Sequence, residues 1–241
     1  METELIIAML LIFIGAFVQS ATGFGLAVVA SPLLILLSPE YIPGPILIVG
    51  LFLALINTFK YRMTISIGGL KHAVIGRIPG TIAGAALLYY IDVAQLSLLL
   101  GIVVLMAVVV SLLPVKIHPT PNRLMFAGFL SGFLGTSSGI GGPPMALLLQ
   151  HQQAHLIRAN LAAFFVASCT MSLLIQIPIG YMSMAHVYLS LPLIPASYLG
   201  YRVAMLVVDR ISQQMVRRMS LVLCSVAGTG AVYSGIVTLY R

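Results

Sequence analysis

The sequence predicts an all-α integral membrane protein built as two inverted repeats, each a re-entrant helical hairpin followed by three transmembrane helices. Three observations lead there. Of 241 residues, 60% are hydrophobic and only 7% charged, with a mean hydropathy of +1.11; a soluble domain carries roughly 25% charged residues. Apolar segments near the roughly 20 residues needed to cross a bilayer recur along the whole length. Basic residues collect in alternate loops, the pattern by which positive charge sets orientation. No hydrophilic block is large enough for a soluble domain, so one membrane domain fills residues 1–241.

The apolar segments run over 5–37, 46–59, 73–90, 95–113, 124–149, 159–177, 184–206 and 215–240. The first and fifth differ from the rest. Each is interrupted by small and polar residues, Gln19-Ser-Ala-Thr-Gly-Phe-Gly25 in one and Gly135-Thr-Ser-Ser-Gly-Ile-Gly-Gly-Pro-Pro144 in the other. A straight helix through either would leave backbone groups that lipid cannot satisfy. The N-terminus opens with Glu2 and Glu4 and lacks a basic leader, which argues against a cleaved signal peptide.

Loop charges then set the topology. Lys60, Arg62 and Lys71, then Lys116 and Arg123, then Arg210, Arg217 and Arg218 mark three cytoplasmic loops. Loops 38–45, 91–94 and 178–183 hold no Lys or Arg and face outward. The count closes only if 124–149 dips in and returns, which leaves Arg158 and the stretch from His151 to His155 cytoplasmic. Applied to 5–37, the same reasoning puts the N-terminus outside, and the C-terminus follows. Three crossings after each hairpin invert the second half, the plan of many secondary transporters. Repeat 1 covers about 1–116 and repeat 2 about 117–241. Gly23, Gly25, Pro79 and Gly84 match Gly139, Gly141, Pro195 and Gly200 at one spacing of 116 residues, and Asp92 and Asp209 follow at nearly the same offset as plausible helix caps.

The net charge of +7 reads as loop topology rather than nucleic-acid binding. Cys169 and Cys224 lie inside apolar segments and read as packing residues, so neither a disulfide nor a metal site is expected, and no cofactor. No His/Asp/Glu constellation lies at membrane depth, which argues against an intramembrane enzyme.

The glycine-rich bends are the leading site candidates for a small anionic ligand. Free N–H groups at half-helix N-termini attract anions. Thr22, Thr136, Ser137 and Ser138 add hydroxyls, and Gly23, Gly25, Gly139, Gly141 and Gly142 allow close backbone approach. Packing of helices through small residues is the competing reading.

The stretch Gly15-Ala-Phe-Val-Gln-Ser-Ala-Thr-Gly-Phe-Gly25 with Pro32, and the stretch from Gly128 through Gly-Thr-Ser-Ser-Gly-Ile-Gly-Gly-Pro-Pro144, resemble the paired signatures of the sulfite exporter TauE/SafE family. The resemblance covers nearly the whole chain. It implies a transporter of small anionic sulfur compounds, such as sulfite, sulfoacetate or other sulfonates, in the cytoplasmic membrane. One departure stands out: Gly23-Phe-Gly-Leu26 replaces the glycine run of many relatives. An anion channel and a non-transporting membrane assembly subunit are the alternatives. The oligomeric state is open, a homodimer included.

Arg77 is the strongly placed charge. It lies six residues past Lys71, about 9 Å into the membrane at 1.5 Å per residue. A guanidinium at that depth offers forked donors to an oxyanion, or snorkels to the interface. Arg202 reads as snorkelling. Asn57, Asn160 and Gln176 read as helix–helix hydrogen-bonding residues, His118, His151 and His155 as loop residues, and His72 and His186 as helix-start residues with a proton-linked role left open. All five acids, Glu2, Glu4, Glu40, Asp92 and Asp209, fall at segment ends. No carboxylate relay is left in the membrane, so efflux driven by potential and gradient is expected.

Overall fold

The structure is a computed structural model describing residues 2–112, 118–150, 152–208, 210 and 213–240. Every long element among the described residues is a helix: α1 (Glu2–Thr22), α2 (Leu26–Leu37), α3 (Gly44–Tyr61), α4 (Ile67–Tyr90), α5 (Val93–Leu112), α6 (Pro121–Ser138), α7 (Gly142–Leu149), α8 (Ala154–Gln176), α9 (Met184–Ser190), α10 (Leu193–Val207) and α11 (Gln213–Leu239). Lys116, His151 and Asp209 and the side chain of Arg217 lie outside the described set.

Both glycine-rich stretches break the helix where expected. Gly23 and Gly25 take φ of 100° and 131°, and Gly139 takes 79°. A side chain is strained at these angles, so glycine permits the turn. The Gly139 N–H bonds the Gly135 carbonyl at 3.1 Å, a left-handed cap that ends α6. The chain then doubles back: Leu26 lies against Gly15, and the Ser131 hydroxyl donates to the Gly141 carbonyl. The arms are unequal. At 1.5 Å per residue α1 and α6 are about 31 and 27 Å long, whereas α2 and α7 are about 18 and 12 Å.

One reading of the segments changes. Among the described residues six helical spans, α1 included, have the length and apolarity to cross a membrane. The segment 184–206 is not one helix. It breaks at Leu191–Pro192 into α9 and α10, because Pro192 and Pro195 lack the N–H groups that would continue the ladder. Asp92 caps α5 as expected: its carboxylate accepts the Gln95 N–H at 2.8 Å, and the Gln95 side-chain oxygen accepts the Asp92 N–H at 3.1 Å.

Lipid offers helices no hydrophobic reason to associate, so small residues and close packing must do it. The pair α4 and α6 is the tightest. A methyl group on Gly76 or Gly80 would sit 2.0 Å from the carbonyl oxygen of Met125 or Phe129, and one on Gly128 2.0 Å from that of Ala73. The other principal pairings are α5 with α11, α1 with α10, and α3 with α8. Large apolar side chains such as Phe126, Ile78 and Val226 are exposed on the outer surface, as a lipid-facing belt requires.

Candidate functional site

The two bends meet inside the bundle. A cavity of about 40 Å³ lies between them, walled by Gly25, Leu26, Ala27 and Val28 on one side and by Gly139, Ile140, Gly141 and Gly142 on the other, with Ser168 and Cys169 of α8 nearby. The first turns of α2 and α7 therefore border the same small space. Their supply of free amides is thinner than a bare helix start would give. The Gln19 side chain accepts the Leu26 N–H at 3.2 Å, and Pro143 and Pro144 carry none.

Arg77 is fully buried behind Gly135, one of the residues that wall this cavity. One Nη donates to the Ser131 hydroxyl at 2.8 Å; the other donates to the Ser168 carbonyl at 3.2 Å and the Ser172 hydroxyl at 3.0 Å. Phe164 packs 5.7 Å below the guanidinium carbon, and Nε has no partner. Among the described residues no carboxylate pairs with it. Zero exposure rules out the snorkelling alternative for this state. Gly135 has no side chain, and a methyl there would lie 2.8 Å from the guanidinium nitrogen, so the charge sits directly against the cavity wall.

The hydroxyls singled out from sequence divide. Thr136 joins the Arg77 shell through Ser172 at 2.8 Å, and Gln176 donates to the Thr136 carbonyl at 2.9 Å. Thr22 donates to the Val18 and Phe24 carbonyls, Ser137 to Phe133 and Ser138 to Leu134. Those three protons are held by the protein's own backbone within four residues, as Ser and Thr in helices often do. Gly23 turns away from the shared cavity and packs on Arg158 of α8, whose guanidinium donates to the Ala21 carbonyl at 3.4 Å. Sequence reasoning missed Ser131, Ser168 and Ser172. The four-residue spacing of Ser168 and Ser172, which stacks them on one helix face, was the available signal.

The remaining polar residues fall out simply. Gln176 makes the helix-to-helix bond expected of it, and Asn160 accepts the Ser66 N–H at 2.9 Å. Asn57 instead bonds its own helix at Leu53. Arg202 is exposed, and His186 accepts the Ser183 N–H in a capping box at the start of α9.

A second, larger cavity of about 440 Å³ lies among α1, α2, α5, α7, α8 and α11. Thr22, Phe24, Ser111, Pro143, Ser220 and Cys224 are among its walls.

A protein-family model described as sulfite exporter TauE/SafE matches residues 7–230, an interval that contains both bends, Arg77 and its serine shell. The chain belongs to the TauE/SafE family. No curated protein and no solved structure matches it. Membership makes this chain a multi-pass membrane transporter of the sulfite-anion type; TauE/SafE proteins are transporters and not enzymes.

Proposed function

We propose that this TauE/SafE chain exports small anionic sulfur compounds, such as sulfite, sulfoacetate or related sulfonates, across the cytoplasmic membrane. The anion binds between the bends against Arg77. One observation carries the reading: a guanidinium with zero exposure and no carboxylate partner among the described residues. An uncompensated charge in a low-dielectric interior costs several kcal/mol. Serine hydroxyls and a carbonyl offset part of that cost, and an arriving anion offsets the rest. Gly25, Gly139, Gly141 and Gly142 shape the space, and Thr136 steadies Ser172. Thr22, Ser137 and Ser138 hold the bends in shape, and Gly23 sets the first turn.

Within one membrane domain, residues 1–116 and 117–241 act as inverted repeats with both termini outside. The pairing of helices supports this. Helix α4 of the first half packs on α6 of the second, and α10 of the second packs on α1 of the first. Helices α3 and α8 pair like with like, as do α5 and α11. Exchanging the halves returns the same set of pairs, which fits alternating access around a site held between repeats.

Transport needs no coupling ion. An anion leaving a negative-inside cell gains about 2.3 kcal/mol per charge per 100 mV. In proteoliposomes loaded with sulfite, an inside-negative diffusion potential is expected to accelerate efflux with no sodium or proton gradient present. Flux that stops without such a gradient would contradict the uniport mechanism. No flux of any sulfur oxyanion would remove the assignment itself.

Gly139→Leu tests the second bend. A side chain there would adopt a φ of 79° and place its Cβ 2.9 Å from Ile46. Flux should vanish while membrane insertion, followed by fluorescence-detected size exclusion, stays normal. Wild-type flux would take this bend out of the path.

A further inference from the structure

We propose that Phe24 is the barrier between the open vestibule and the inner cavity, the side chain an anion must displace to reach Arg77. The inference rests on the transport reading above. The two spaces are separate cavities that share Gly25 and Val28 in their walls. Phe24 and Pro143 wall the larger one; Phe165 and Gly142 wall the smaller. A methyl group on Gly142 would lie 3.3 Å from both Phe24 Cβ and Phe165 Cζ. The two aromatic residues thus close over a position that has no side chain of its own.

Three features make Phe24 the movable member. It is half-buried, whereas Phe165 is 8% exposed within the α7–α8 core. It is flanked by Gly23 and Gly25, both at positive φ, in the short connection between two helices. Its carbonyl is tethered by the Thr22 hydroxyl at 2.7 Å, which fixes one end of the segment that carries the ring. An apolar constriction of this kind blocks ions by excluding water. The inner cavity, at about 40 Å³, is close to the roughly 30 Å³ that one water occupies in the liquid. It must widen to admit an oxyanion, and swinging Phe24 into the vestibule joins the two volumes.

The chain's two cysteines report on the two spaces: Cys224 lines the vestibule and Cys169 the inner cavity. Inside-out membrane vesicles are treated with a small water-soluble methanethiosulfonate, and modification at each thiol is followed by mass spectrometry. Both thiols are buried in the wild type, Cys224 at 3% and Cys169 at 7% exposure, and Cys169 should react only slowly. In Phe24→Ala the Cys169 rate should rise about tenfold, as when about 1.4 kcal/mol is taken off a barrier, with Cys224 unchanged. Phe24→Trp should slow Cys169 below the wild-type rate. Equal Cys169 rates in the wild type and these variants would overturn the assignment. If Phe24→Ala does not yield folded protein, the contrast between wild type and Phe24→Trp decides in the same way. The labelling needs no sulfur anion, so an error in substrate or in the role of Arg77 leaves this test intact.

Discussion

Replacing Arg77 with glutamine is expected to lower anion flux by two orders of magnitude or more, while the folded protein becomes no less stable. The two effects have one cause. Arg77 is held by two serine hydroxyls and one carbonyl, but its Nε is unpartnered and no carboxylate balances its charge among the described residues. Removing it relieves the desolvation penalty of a buried ion, so the melting temperature in detergent should hold or rise. Removing the ligand for the anion should cost on the order of 3–5 kcal/mol of binding, the scale for breaking a buried charge pair. Arg77→Lys keeps the charge and loses the fork, so it should recover part of the flux. Lost stability with retained flux in Arg77→Gln would make the guanidinium a packing element and would remove the main support for the anion site.

Gly80→Ala is expected to destabilise the protein by about 3 kcal/mol or more, a large effect for one methyl group. The new Cβ would lie 2.0 Å from the Phe129 carbonyl oxygen and 2.8 Å from its carbon, both backbone atoms that cannot rotate away. Gly76 and Gly84 meet Met125 and Phe133 in the same manner one turn to either side, so the whole α4–α6 pair must separate. That pair carries Arg77 on one helix and Ser131 on the other, so flux should fall with stability. Gly180→Ala is the control. Its φ of 75° strains a side chain, but nothing lies within 4 Å, so about 1–2 kcal/mol is expected. Thermal unfolding of both variants in one detergent compares them. Equal midpoints would mean that the glycine contacts do not hold α4 to α6.

How much was legible depended on whether the signal was local. Gly23, Gly25 and Gly139 could be read as bends because a positive φ is a property of the residue itself. The same locality served Asp92, whose cap is completed three residues away by Gln95. Pro192 and Pro195 carry an equally local signal for the break between α9 and α10, set within a mostly apolar run long enough for a single crossing. For Arg77 the distance from Lys71 set a depth and left an anion-ligand role and snorkelling both open. Only Ser131 and Ser172, 54 and 95 residues away, decide between them.

Hydropathy, alternating loop charge and the two glycine-rich stretches determined by themselves that this is a multi-pass membrane chain with two interrupted segments, and they pointed to its family. These follow from bilayer thickness, the cost of unpaired backbone groups in lipid and the absence of Cβ in glycine, none of which needs a distant contact. Tertiary structure alone decided that the bends of α1–α2 and α6–α7 border one cavity, that Arg77 is buried behind its Gly135 wall with no carboxylate partner among the described residues, and that Thr22, Ser137 and Ser138 give their protons to backbone carbonyls. Each of those outcomes depends on which helices lie side by side, and side-by-side placement is set by packing between residues far apart in the chain.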